Sequence, residues 1–287
     1  MSSISFAWIA SLFYGATLVA GKLTTKHAIK NPWMYEFFWE ACSLFFILPV
    51  ALVYGVTWPQ QWGPIIFSGL TYALAGIVYV LSLYMLDVST LGSLYNFRGP
   101  FSVLLGVFVL GERLTPMQIG LIALISFCGF LVSMDERMKL STFFQKGVMV
   151  ALLAIFISAV MNVALHQALQ TNGYWEVTLF TAVVAQISLL VLVPLFIKDL
   201  KKVRPAGMGG IAFSSLFFVL GYIAANRALA QNVGITSTIL SLPFSMIIAF
   251  IFSRVAPELL EKHTLKVYAV RFTGAAIMFF AALKLSV

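Results

Sequence analysis

The side chains that could do chemistry are few, and most of them sit in apolar surroundings. Arg98 lies deep inside the apolar run 88–110. An ionisable group at that depth is costly in hydrocarbon and normally faces a partner or a watery cavity. Asn96 stands close by and Gly99-Pro100 follows at once. Proline removes a backbone amide and glycine thins the helix, so carbonyls there must be met by a cavity or a neighbour. A guanidinium so placed suits an anionic group such as a carboxylate; the alternative is a buried structural pair, with Glu40 as partner. Glu36 and Glu40 are one helical turn apart and share a face. Glu40 is a candidate for carrying a coupling proton, or else the fixed partner of Arg98 or Lys22, whereas Glu36 reads as solvated near the interface. Asn162 and His166 share a face, the histidine reading either as a titrating gate or as a hydrogen-bonded structural residue. Asn226 and Arg227 stand near the end of their run, where Arg227 either binds solute or snorkels, and Arg271 is expected to snorkel. Tyr14, Tyr72, Tyr79, Tyr95 and Tyr222 could offer apolar walls with hydroxyls. The candidate substrate-binding set is therefore Arg98, Asn96, Tyr14, Tyr72, Tyr79, Asn162, His166, Asn226 and Arg227, with Glu40 for coupling and Pro100 and Pro243 as hinges. Glu112 reads as a cap or salt bridge at a surface corner, and no metal-ligand spacing and no cofactor motif is found.

The elements that must carry these residues follow from composition. Of 287 residues 61% are hydrophobic and only 10% charged, against about 25% charged in a soluble domain. Such a chain cannot cover a water-facing surface. Its long continuous apolar runs point to an all-α integral membrane protein rather than a barrel of short alternating strands. Ten spans can be drawn, at 4–24, 33–56, 63–86, 88–110, 117–134, 147–169, 174–197, 207–230, 233–254 and 267–285. Asn31-Pro32, Trp58-Pro59, Gly63-Pro64, Thr115-Pro116, Asn172-Gly173 and Pro205 punctuate them. Trp33, Trp58, Trp62 and Trp175 fall at span ends, where an interfacial belt is expected. Cys42 and Cys128 lie inside apolar runs and read as packing residues, and no cleaved signal peptide is expected at Met1-Ser2-Ser3. The net charge of +8 does not indicate nucleic acid, because most of the basic residues lie in loops between spans.

The spans divide as five plus five across Asp135-Glu136-Arg137-Met138-Lys139. An odd number per half sets the halves in opposite orientation, the inverted-repeat plan of many secondary transporters. Pro100-Phe101-Ser102 recurs as Pro243-Phe244-Ser245, and Gly76 to Val88 aligns with Gly221 to Val233. Thirteen of the eighteen Lys and Arg fall on the face holding the odd-numbered loops and two, Arg113 and Lys284, on the other. The positive-inside rule then puts both termini outside.

The proline of span four, the corner Gly111-Glu112-Arg113-Leu114-Thr115-Pro116 and the small-residue helix with Gly120 and Gly129 resemble the drug/metabolite transporter superfamily, EamA-like family. In the second half Glu261-Lys262-His263-Thr264 repeats the corner without its glycine and proline. The resemblance implies two five-helix repeats, 4–134 and 147–285, in the cell (inner) membrane, and export or exchange of small polar metabolites such as amino acids. It also implies cytoplasmic termini, against the charge count. The expectation is a monomeric, non-enzymatic secondary transporter working by alternating access, its partners a small-molecule solute, the lipid bilayer and protons. Efflux of lipophilic or cationic compounds is the first alternative, and an intramembrane enzyme the second.

Overall fold

A computed structural model describes residues 2–133, 144–255 and 265–285. Among them every regular element is a helix. Eight segments are long and apolar enough to cross a membrane: 3–27, 32–53, 62–85, 90–110, 146–171, 174–201, 205–229 and 233–251. The chain is thus a multi-pass, membrane-embedded helical protein, as lipid demands of a backbone that must satisfy its own polar groups.

In chain order the helices are α1 (Ser3–His27), α2 (Pro32–Val53), α3 (Trp62–Met85), α4 (Val88–Leu94), α5 (Arg98–Leu110), α6 (Pro116–Ser133), α7 (Lys146–Thr171) and α8 (Tyr174–Leu189). A short α9 (Val193–Phe196) continues α8 through 3-10 turns, and α10 (Pro205–Leu229), α11 (Val233–Leu240), α12 (Phe244–Val255) and α13 (Leu265–Leu285) follow. Helices begin where the sequence supplies a cap: the Asn31 side chain accepts from Trp33 N and Met34 N with Pro32 as first residue, and that of Asn232 accepts from Ile235 N at 2.6 Å. The segment 135–139 between the halves and the corner 261–264 lie outside the described residues.

Both halves hold a discontinuous element. Between α4 and α5 the chain passes through a 3-10 turn, Tyr95–Phe97. Between α11 and α12 it breaks at 241–243. The first break corrects the expectation of a hinge at Pro100, which sits inside the first turn of α5. The proline ring excludes the carbonyl four residues back, at Asn96, and the first turn of a helix needs no amide, so the distortion falls ahead of the proline. At Pro243 the break is at the proline itself, immediately before α12.

Packing brings these breaks to the centre. Helix α1 packs on α10 and α3 on α7; α5 meets α11, α6 meets α13, and α2 lies on α8 and α10. A Cβ on Gly15 of α1 would stand 2.8 Å from Phe244 Cβ and from Ser245 N, so glycine there lets the second break seat directly on α1. Two side chains tie down helix ends. Lys22 of α1 donates through Nζ to the carbonyls of Leu83 and Leu86 at 2.9 and 2.7 Å, at the end of α3. Glu112, in the corner after α5, accepts from Val233 N at 2.5 Å and Gly234 N at 3.0 Å and so caps α11. Carboxylate bonds at a helix start are charge-assisted. Glu112→Ala should lower stability by about 1–2 kcal/mol, seen as a lower melting temperature in detergent; an unchanged melting temperature would count against the cap.

Candidate functional site

A cavity lies where α1, α2, α3, α10 and the two breaks converge. It leaves about 120 Å³ open to the centre of a water molecule, several times what one water needs. Arg98, at the start of α5, reaches into it and is 6% exposed. Its Nη2 donates to Asn162 Oδ1 at 2.8 Å, Asn162 Nδ2 donates to Ser237 Oγ at 2.8 Å, and its guanidinium carbon stands 5.9 Å from the centre of the Tyr14 ring. No carboxylate pairs with it among the described residues. The structural pair with Glu40 that the sequence left open is therefore not formed.

Glu36 and Glu40 of α2 also line the cavity, at 3% and 2% exposure. The burial of Glu36 corrects the expectation of an interfacial residue. Its carboxyl lies against Gly76 of α3, where a Cβ would collide with it, so α3 offers a notch. Between acid and base runs an aromatic wall. Phe218 stacks with Tyr14 at 5.7 Å and with Tyr222 at 5.7 Å, and meets Trp39 edge-on at 4.8 Å. Trp39 in turn approaches Tyr79 at 5.7 Å, and Tyr79 approaches Tyr95 at 5.8 Å.

Seven buried polar atoms around this cavity make no hydrogen bond among the described residues: Ser11 Oγ, Glu36 Oε2, Trp39 Nε1, Glu40 Oε1, Tyr72 Oη, Arg98 Nε and Tyr222 Oη. The Tyr72 hydroxyl faces the Glu40 carboxyl, and that of Tyr222 faces the Asn226 amide, both without hydrogen-bond geometry. Unmet polar atoms of this kind are thus concentrated in the wall of the cavity.

The fold is a recurring one. A solved crystal structure, described only as that of a protein, superposes with a TM-score of 0.73 at 16% identity over 99% of this chain and 98% of its own. That likeness shows the architecture alone. No family model and no curated protein matches the sequence.

The structure gathers Arg98, Tyr14, Tyr72, Tyr79 and Glu40 around one cavity, with Asn162 behind Arg98. Asn96 instead turns its side chain to α6, its Nδ2 3.5 Å from Gly129 O. Asn226 donates to Thr178 Oγ1 at 3.2 Å, and His166 Nδ1 lies 2.7 Å from Leu229 O. Arg227 lies over the Tyr174 ring at 3.7 Å, away from the cavity. Arg271 is buried rather than snorkelling. Sequence reading did not select Trp39, Phe218, Ser11, Ser158 or Met161, all of which line the cavity. Two carried a signal: Trp39 shares a helix face with Glu36, and Phe218 shares one with Tyr222.

Proposed function

We propose that this chain is a secondary transporter of small polar metabolites that carry both a carboxylate and an ammonium group, as amino acids do. The observation that carries this reading is the bipolar cavity: one guanidinium without a carboxylate partner, two carboxyls across from it, and aromatic walls between them. Arg98 would hold the carboxylate in its planar fork. Glu36, with Trp39, Tyr72 and Phe218, would receive the ammonium, and Glu40 would carry the coupling proton.

In this reading ten spans form two inverted five-helix repeats that rock about the breaks at Tyr95–Phe97 and 241–243. Paired contacts support it. The packing of α1 on α10 has its counterpart in α7 on α3, and that of α2 on α10 has its counterpart in α8 on α3. Lys22 of α1 and His166 of α7 occupy near-equivalent positions, and each meets carbonyls at the end of the third long helix of its own half. The resemblance to EamA-like transporters fits the same plan, in the cell membrane.

The test is counterflow in proteoliposomes with three solute sets: amino acids, carboxylates lacking the amine, and amines lacking the carboxylate. Zwitterions are expected to compete at least tenfold better than either single-charge analogue, because losing one buried charged contact costs about 1.4 kcal/mol or more. Equal competition by plain amines would favour the cation-efflux reading, which the acidic, aromatic end of the cavity otherwise supports. No counterflow by any set would remove the carrier reading. Orientation is tested by a membrane-impermeant maleimide on Ser2→Cys and Lys201→Cys in intact cells. The charge count predicts labelling at position 2 and none at 201; the reverse pattern would put the termini in the cytoplasm.

A further inference from the structure

A second pocket opens near the ends of α1, α7, α8 and α10, and it shares no residue with the central cavity. It leaves about 270 Å³ open to the centre of a water molecule and is walled by Ser3, Phe6, Leu169, Tyr174, Arg227 and Gln231. Among the described residues Arg227 is its one charged lining residue. The guanidinium carbon lies over the Tyr174 ring, 3.7 Å from its centre. That ring is held in place, because the Tyr174 hydroxyl donates to Ile223 O at 2.6 Å, one turn before Arg227 on the same helix. A stacked guanidinium keeps its in-plane N–H groups for an acceptor. Arg227 has no carboxylate partner among the described residues.

The nearby helix end would ordinarily oppose an anion, since the last carbonyls of α10 carry partial negative charge. Here two of them are already engaged: Leu229 O by His166 Nδ1 at 2.7 Å, and Ala230 O by Gln170 Nε2 at 2.9 Å. Helix α7 thus occupies the acceptors that would compete for Arg227. The pocket and the cavity also share two helices. Ser11 of the cavity and Ser3 of the pocket share α1, two turns apart, and Tyr222 and Arg227 share α10.

We infer that the Arg227–Tyr174 pocket is a second, outer binding site for the carboxylate group of a small solute. The binding itself rests on the geometry of Arg227; only its use as a waiting station for Arg98 rests on the carrier reading. The guanidinium supplies the charge and the donors, Tyr174 holds it by a cation–π contact, and Ser3 and Gln231 add uncharged polar groups.

The probe is sodium N-acetylglycinate, a carboxylate without an ammonium group, followed by saturation-transfer NMR on the protein in phosphatidylcholine nanodiscs. Binding is expected in the wild type and in Arg98→Gln, and it should weaken at least tenfold when Arg227→Gln is added to Arg98→Gln, where the central carboxylate site is already removed. Tyr174→Leu keeps the charge but loses the platform, and should weaken binding roughly threefold to fivefold. Monodispersity and melting temperature are checked for each variant, and Arg227→Lys stands in if Arg227→Gln does not fold, with the same expected direction. Unchanged affinity in the Arg227 variant, loss of all binding in Arg98→Gln, or no binding by the wild type would overturn the site. Displacement of the probe from Arg98→Gln by phosphatidylglycerol in the disc would assign the pocket to a lipid phosphodiester and overturn it too. Probe binding that persists in a protein without counterflow would leave this site standing while the carrier reading fails.

Discussion

Arg98→Ala is expected to abolish solute counterflow, a loss of roughly 100-fold or more, while the protein inserts and melts nearly as the wild type does. The two halves of that expectation have separate causes. The guanidinium is buried, lines the cavity, and has no carboxylate partner among the described residues. Breaking a buried ion pair costs about 3–5 kcal/mol because a charge is left alone; here that charge is already alone in the protein, so its removal relieves desolvation. What the fold loses is one hydrogen bond to Asn162 Oδ1, about 1–2 kcal/mol. What a bound carboxylate loses is its only cationic partner among the described residues of the cavity, about 3 kcal/mol, which is the 100-fold effect. Arg98→Lys should recover part of it, since the ammonium keeps the charge but not the planar fork. Counterflow at the wild-type rate from an inserted Arg98→Ala would take Arg98 out of the site, and a large fall in melting temperature would make its role structural.

The second large effect is expected from the acidic end. Glu40→Gln should end concentrative, proton-driven flux and make it insensitive to a protonophore, while exchange of internal for external solute continues. Glu36 and Glu40 lie one turn apart in the cavity, each with an oxygen free of hydrogen bonds among the described residues. A carboxyl that carries a proton must be reachable from the cavity and free of a permanent cation; Arg98 bonds to Asn162 instead, and Lys22 reaches the end of α3. Glutamine keeps the shape and removes the exchangeable charge. Concentrative flux that survives in Glu36→Gln/Glu40→Gln would exclude the pair as the coupling site. Loss of exchange as well in Glu40→Gln would make Glu40 a solute ligand rather than a proton carrier. Gly76→Ala is a control on Glu36: a methyl placed in the notch that receives its carboxyl should disturb the acidic end without changing any charge.

The helices themselves were legible from the residues. The run drawn at 63–86 is Trp62–Met85, and the run at 174–197 begins at Tyr174, because in hydrocarbon an apolar run has no alternative to the helix and its prolines, asparagines and glycines mark the ends. The discontinuity of the fourth run was legible from Gly99-Pro100, though its position shifted to Tyr95–Phe97 by the reach of a proline ring back along the helix. That Arg98 and Glu40 belong inside followed from the cost of charge in lipid.

Only the tertiary structure decided which way each helix is turned. In a soluble protein the polar face of a helix says which side looks outward. Here lipid and packed interior are both apolar, so residues such as Met161 and His166, on one helix, carry no mark that the first lines the cavity and the second meets Leu229 O. The same loss of contrast placed Glu36 at a surface it does not reach. It also left Arg98 and Arg227 in one candidate set, although they serve two separate pockets. Residue chemistry set the cost of burying each group, and the packing of α1, α2, α3 and α10 determined which groups share a cavity.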